Sequence, residues 1–278
     1  MSTSPPDIAH APIAFVGGGN MASAVIGGLR RAGVAAERLR VVEPWAEARK
    51  RLAEQHGVEA LEAPGATLAE AGTVVWAVKP QMFGEAAAAA GPFVATALHL
   101  SVMAGVRIGG IESALGLTAG AGRIVRSMPN TPALIGRGIA GLVSSSAVTP
   151  AERAWIETLL APTGQTLWFE AESALDAVTA ISGSGPAYVF YVVEAMMHAA
   201  EAMGLSAADG KRLALATFDG AAALAAASPL HPAELRAQVT SKGGTTAAAL
   251  AVLEEHGVGA AFEAALRAAQ RRAEELGR

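Results

Sequence analysis

The 278-residue chain contains no cysteine. That absence excludes a disulfide framework, a thiolate metal site and a cysteine nucleophile together. Charge is also sparse. Asp, Glu, Lys and Arg make up 17% of the residues and the formal net charge is −4, so there is no basic footprint for nucleic acid. Aromatic residues reach only 5%, yet hydrophobic residues reach 52%, which excludes a disordered, collagenous or coiled-coil chain. The apolar share is carried by Ala, Val, Leu and Ile, and the chain is long enough to bury a core without covalent staples. A membrane span is not expected. Residues 86–106 carry no charge, but Gly91-Pro92 reads as breaking any helix there and His99 lies inside the run. The opening MSTSPPDIAHAP has no basic stretch before an apolar run, so residues 1–11 read as a short disordered tail rather than a signal peptide. These features point to a cytoplasmic globular protein with no nucleic-acid and no membrane partner.

Apolar runs bounded by turn signals occur at 12–17, 39–43, 73–78, 97–102, 122–128, 138–144 and 165–170, and read as buried strands. Helical stretches lie between them at 20–32, at 45–57 with Gly57 as stop signal, and at 149–161. Strands alternating with helices predict an α/β, mostly parallel sheet wound on both faces. Beyond Glu170 no strand is evident. Ala-rich stretches at 186–203, 206–227, 232–239, 245–256 and 258–276 predict an all-α second half. The expected organisation is an α/β domain over 12–170 and a helical domain over 171–278.

GGGNMA at 17–22 follows the first strand and opens a helix, fitting G-x-G-x-x-A through Gly17, Gly19 and Ala22. The first glycine permits a tight turn and the second lets the backbone approach a diphosphate. The small third residue permits close packing, and the helix N-terminus faces the phosphates. This placement predicts a Rossmann-type dinucleotide site for NAD or NADP. Glu43 ends the second strand, where a carboxylate would bond the ribose 2′-hydroxyl of NAD and repel the 2′-phosphate of NADP. Arg49, Lys50 and Arg51, a helical turn later, read equally well as a solvated face. Trp45 is a candidate border for the adenine, whereas Trp76, Trp155 and Trp168 read as core.

Four further motifs join the glycine turn: AVKPQ (77–81), RSMPNTP (126–132), ISGSGPAY (181–188) and VTSKGGTT (239–246). With this ordered set the chain resembles the pyrroline-5-carboxylate reductases from residue 12 to about 270. The resemblance implies a nucleotide-binding domain followed by an all-helical dimerisation domain. It also implies reduction of 1-pyrroline-5-carboxylate to L-proline, the last step of proline biosynthesis, with NADPH or NADH. Carried over, it sets Gly17, Gly19, Asn20, Met21 and Ala22 around the cofactor diphosphate and Val78, Lys79 and Pro80 beside the cofactor. Ser101, Ala104 and Gly105, with Met128, Pro129 and Asn130, would border the nicotinamide. Val239, Ser241, Gly243, Gly244, Thr245 and Thr246 match the substrate loop. Two departures stand out. Many family members have Pro where this chain has Lys242, which implies a less rigid, more cationic loop. The family more often prefers NADPH, which Glu43 opposes.

Residues 243–255 read as a glycine loop feeding a helix N-terminus, suited to holding a carboxylate. The plainer alternative is helix capping by Thr245 or Thr246. Hydride transfer to a protonated imine needs little acid–base machinery, which matches the lack of a His–Asp or Ser–His constellation. Thr246 is the candidate catalytic residue, a hydroxyl bonded to the imine nitrogen. No metal site is expected. Glu194, His198 and Glu201 recur at helical spacing but read as a solvated or intersubunit face. His10 falls in the tail, and His231 precedes Pro232 in a turn. His56 and His256 precede glycines at helix ends, where a cation suits the dipole.

Residues 187–203 are apolar around most of a helix, which predicts burial on several sides, in the domain's own core or against a second copy. The resemblance implies a homodimer or a higher assembly such as a decamer. A β-hydroxyacid dehydrogenase is the main alternative, but it requires a lysine on the ISGSGPAY helix, and the second half offers only Lys211 and Lys242. A non-catalytic nucleotide sensor, the alternative from another class, has no need of a second anion loop.

Overall fold

A computed structural model describes residues 8–277. The eight strands are β1 (Ile13–Val16), β2 (Leu39–Val42), β3 (Ala60–Leu61), β4 (Thr73–Trp76), β5 (Leu98–Ser101), β6 (Ile124–Met128), β7 (Gly138–Ser144) and β8 (Gly164–Trp168). They form one sheet in the order β3-β2-β1-β4-β5-β6-β7-β8. All neighbouring pairs are parallel except β6 and β7, which run antiparallel. From β1 the chain winds outward to β3, then returns to place β4 against the other side of β1. The carboxyl ends of β1 and β4 therefore flank the point where the winding reverses, which is where such sheets open a crevice for ligands.

Burial on both faces explains the continuous apolar runs. Along β1, Ile13 and Phe15 join one core cluster and Ala14 and Val16 the other. The first cluster is closed by α1 (Asn20–Arg31), through Val25, Ile26 and Leu29, and by α5 (Pro150–Leu160), through Ile156 and Leu159. The second is closed by α3 (Phe83–Val94) and α4 (Ile108–Ala114). Each fully buried side chain of this size contributes about 1.5–3 kcal/mol. The edge helix α2 (Ala46–His56) ends at Gly57, whose φ of 65° is the left-handed conformation expected of a stop signal.

Helix α3 corrects one expectation, because it runs through Gly91-Pro92 to Val94. Proline removes only one N–H and falls in the last turn, while Ala87, Ala90, Gly91 and Val94 are buried against the sheet. Packing there outweighs local propensity. The tail also differs. Residues 1–7 lie outside the described residues, but Ile8 packs against the first core cluster. The Arg38 guanidinium donates to the carbonyls of Ala9 and Ala11 at 2.6 and 3.0 Å.

Compact packing divides the chain into Met1–Ser184 with Ala269–Arg278, and Gly185–Ala268. The composition change at residue 170 thus precedes this division. The segment after β8, α6 (Ala174–Val178) and a π-helical turn (Thr179–Gly183), remains with the sheet because Leu175 and Val178 pack on Gly141 of β7. The second unit contains α7 (Gly185–Ala202), α8 (Ala207–Ala227), α9 (Pro232–Gln238), α10 (Thr245–Glu255) and the start of α11 (Val258–Leu276). Within α7 only Val193 is buried, while Val189, Phe190, Tyr191 and Met196 are exposed.

Candidate active site

The glycine turn is built by close approach at the end of β1. Gly17 has φ +100°, and a Cβ there would lie 2.6 Å from the Ala77 carbonyl oxygen. Its N–H donates to the Val42 carbonyl at 2.8 Å, and the Ala77 N–H to the Val16 carbonyl at 2.8 Å. Beyond the turn, Gly19 caps α1 with no side-chain hydrogen bond, and the first turn holds no acidic residue. A Cβ built on Gly19 meets nothing within 4 Å. The helix thus offers free N–H groups to open space, the features a dinucleotide diphosphate requires, and the residues present fit that group. Asn20 and Met21 lie in the first turn, and Ala22 is fully buried.

Glu43 sits beneath this turn. One carboxylate oxygen accepts the Gly18 N–H at 2.7 Å and the other the Trp45 N–H at 2.9 Å. The residue is 8% exposed. It therefore braces the phosphate turn from the end of β2, a role its position alone did not disclose. Arg49 is committed nearby. Its guanidinium donates to the carbonyls of Glu43 at 3.0 Å and Pro44 at 2.6 Å and pairs with Glu62 at 3.3 Å. Lys50 pairs with Glu54 at 3.7 Å on the exposed side of α2. Trp45, which follows β2, is 68% exposed.

On the other side of the winding reversal, Val78 lies beside the glycine turn, and the exposed Lys79 caps a short 3-10 turn opened by Pro80. After β5, Ser101 is fully buried and its hydroxyl accepts the Met103 N–H at 3.3 Å. Ala104 is exposed and Gly105 has φ +77°. After β6, Pro129 is buried and Met128 is half-buried, with its Cε 2.5 Å from where a Gly183 Cβ would stand. Asn130 uses its whole amide for scaffolding. Nδ2 donates to the Ser182 carbonyl at 3.1 Å, and Oδ1 accepts the Ile139 N–H at 3.0 Å. The RSMPN and ISGSG motifs are therefore locked together through Met128, Asn130 and the π turn, an arrangement that reading them separately missed. All these residues belong to the first unit.

The second set lies in the helical unit. Val239 ends α9 and is 64% exposed. The chain then turns through Ser241 and Gly243, which has φ +74°, and the Gly244 N–H donates to the Ser241 carbonyl at 3.0 Å. A Cβ at Gly244 would fall 2.4 Å from Ser241 Oγ. Gly244 caps α10 with no side-chain bond, so neither Thr245 nor Thr246 closes the helix end. The first N–H groups of α10 stay open to an anion. Thr246 is half-buried in this first turn and Lys242 is exposed.

One histidine departs from expectation and another is buried in the sheet. Burial and then the neighbouring Arg31 push His56 down from its ordinary pKa, which opposes the cation expected at a helix end. Its Nε2 instead meets Ser23 Oγ at 2.7 Å. His99 is buried in β5, accepts the Trp76 indole N–H on Nδ1 at 3.1 Å, and is lowered to about 4 by burial and then by Arg123. His231 caps α9 through Nδ1, which accepts the Ala233 N–H at 3.2 Å.

Comparison with known proteins agrees along the chain. Residues 172–276 match the family described as pyrroline-5-carboxylate reductase dimerisation, and residues 12–105 match NADP oxidoreductase coenzyme F420-dependent. The pyrroline-5-carboxylate reductase of Pseudomonas aeruginosa is 42% identical over 265 residues, covering 95% of this chain and 96% of its own. That of Haemophilus influenzae is 38% identical over 96% of this chain and 98% of its own. Among solved structures, the Coxiella burnetii pyrroline-5-carboxylate reductase aligns with a TM-score of 0.88 and 34% identity, covering 96% of this chain and 99% of the other. The Plasmodium falciparum pyrroline carboxylate reductase, with NADP bound, aligns at 0.86 with 28% identity, covering 97% and 99%.

Proposed function

We infer how this chain works from one premise: it belongs to the pyrroline-5-carboxylate reductase family. It is an NAD(P)-dependent oxidoreductase that reduces the C=N bond of 1-pyrroline-5-carboxylate to give L-proline, the final step of proline biosynthesis. When bound, the reduced nicotinamide supplies the hydride to the imine carbon, and the ring nitrogen keeps its proton as an amine. The chain's own residues bind, orient and exclude water.

Gly17, Gly19, Asn20, Met21 and Ala22 hold the cofactor diphosphate at the N-terminus of α1. Val78, Lys79 and Pro80 flank it, and the turns at Ser101, Ala104 and Gly105 and at Met128, Pro129 and Asn130 border the nicotinamide. The buried Glu43 carboxylate sets a fixed negative charge where a 2′-phosphate would approach, and Arg49 is already committed to two carbonyls and Glu62. This arrangement favours NADH over NADPH. The open end of α10 and the loop of Val239, Ser241, Gly243 and Gly244 hold the substrate carboxylate. Thr245 and Thr246 follow, and Thr246 Oγ1 bonds the imine nitrogen. Lys242 adds attraction for the anion.

One observation carries the reading: each unit presents a glycine loop leading into a helix with no side-chain cap, at Gly19 and at Gly244. The reaction needs two anion cradles, one for a diphosphate and one for a carboxylate. The enzyme is a homo-oligomer, a dimer at least and a decamer in its larger form, joined through the helical unit. The exposed apolar face of α7 supports that assembly. It acts in the cytoplasm on a small molecule, with no nucleic-acid or membrane partner. No single described helix is long and apolar enough to cross a membrane. The test is an initial-rate assay with pyrroline-5-carboxylate and each reduced cofactor. Loss of reduced-nicotinamide absorbance, faster with NADH, is expected. No loss with either cofactor removes the reading.

A further inference from the structure

The loop after β5 is held from outside by a chain of contacts that binding the diphosphate does not require. Gly105 adopts φ +77°, and a Cβ there would lie 2.9 Å from the Leu276 carbonyl oxygen, so the end of α11 lies directly against this loop. Arg107, two residues on, reaches in two directions. Its Nη2 pairs with Asp176 Oδ2 at 2.8 Å, and its Nε donates to the Gly277 carbonyl at 3.4 Å. The Asp176 side chain is only 6% exposed. Glu172, in the turn before α6, accepts the Ile108 N–H at 2.7 Å and Arg126 Nη1 at 2.6 Å through a single oxygen. Arg126 lies in β6 just before Met128, and its side chain is 5% exposed. The short segment Glu172–Asp176 thus ties together the start of α4 and the strand that leads to Met128-Pro129-Asn130. All these residues lie in the first compact unit.

Burying such pairs is a poor way to gain stability, because desolvation offsets most of the attraction and apolar side chains of equal volume serve as well. What paired, hydrogen-bonded charges supply is fixed geometry, above all where a guanidinium fork meets a carboxylate. We propose that Arg107 is a positioning residue that fixes the Ala104–Gly105 turn between Asp176 and the chain end at Leu276–Gly277, and thereby sets the depth of the nicotinamide. The proposal rests on the placement of Ser101, Ala104 and Gly105 along the nicotinamide. Hydride transfer falls steeply when the reacting atoms are misplaced, even by about 1 Å. The diphosphate is held elsewhere, at Gly17–Ala22, so loosening this turn affects turnover and leaves cofactor capture intact.

The test uses the full-length enzyme with Arg107→Ala, Arg107→Lys and Ala104→Leu, measuring kcat, both KM values and the melting temperature. Arg107→Ala is expected to lower kcat by about tenfold while the cofactor KM stays within about twofold. Arg107→Lys keeps the charge opposite Asp176 but loses the fork to Gly277, so it restores part of kcat. A kcat within about twofold of wild type in Arg107→Ala overturns the proposal, as does a raised cofactor KM with unchanged kcat. If Arg107→Ala fails to fold, Arg107→Lys carries the comparison. A lowered kcat at an unchanged melting temperature supports the proposal, and a wild-type kcat overturns it. Ala104 is exposed, so Ala104→Leu probes the underlying placement with little cost to the fold. Wild-type kinetics in that variant overturn the placement, and the proposal with it. Impaired Ala104→Leu beside a normal Arg107→Ala overturns the positioning role alone.

Discussion

The Glu43 carboxylate accepts the Gly18 N–H at 2.7 Å, joining the end of β2 to the glycine turn at Gly17–Gly19. The carboxylate proposed to select between ribose ends is therefore also a brace for the loop. Glu43→Ser is expected to shift the ratio of kcat/KM values toward NADPH by about tenfold, because one negative charge is removed beside the 2′ position. It also leaves the Gly18 and Trp45 N–H groups without their acceptor, so the KM for both cofactors rises. Initial rates with NADH and NADPH read both effects. An unchanged cofactor ratio shows that Glu43 is a brace only.

Thr246 lies in the open first turn of α10. Thr246→Ala is expected to lower kcat by about tenfold or more, with Thr246→Ser restoring most of it, because the role proposed for this residue belongs to the hydroxyl and not to the methyl. A Thr246→Ala turnover number within about twofold of wild type removes this residue from the chemistry.

His99 makes stability depend on pH. Its folded pKa is lowered from 6.5 to about 4, so between those values the unfolded chain binds more protons than the folded one. Stability is therefore fully present above pH 6.5 and falls as the pH drops toward 4, by about 3 kcal/mol from this residue. Urea unfolding of wild type and His99→Asn across that window is the check. The variant, neutral throughout, is expected to lose less stability on acidification, and parallel curves would contradict the assignment.

Phe190 and Tyr191 are 64% and 73% exposed on α7, more apolar surface than a helix in a finished core leaves open. Light scattering is expected to give a multiple of the 28.0 kDa chain mass. Phe190→Glu should shift the population toward the single chain and lower activity with it. A wild-type monomer with full activity rules out the assembly.

How much was legible in the residues depended on how local each requirement was. Gly17 needs a positive φ and room beside Ala77, and both demands appear as GGGNMA directly after an apolar run. The strands were legible for the same reason, since burial on both faces leaves continuous Val, Ile and Ala runs such as TVVW in β4. Helix α3 was not, because Gly91-Pro92 is a breaker by propensity and only packing against the sheet carries the helix through it. Strand β3 is two residues long and exists only because Val41 and Val42 pair with it. Helix α4 carries two adjacent glycines and is anchored instead through the buried Ile111 and the Glu172 carboxylate at the Ile108 N–H.

The sequence by itself determined the doubly wound sheet, the helical second half and the two glycine loops, because backbone sterics and hydrophobic periodicity act over a few neighbouring residues. Only the tertiary structure decided what the polar side chains do. Glu43 reaches Gly18 across 25 positions, Asn130 reaches Ser182 across 52, and Arg107 reaches Asp176 across 69. A buried carboxylate, amide or guanidinium must find a partner wherever the fold brings one within reach, and that partner leaves no periodic trace in the chain.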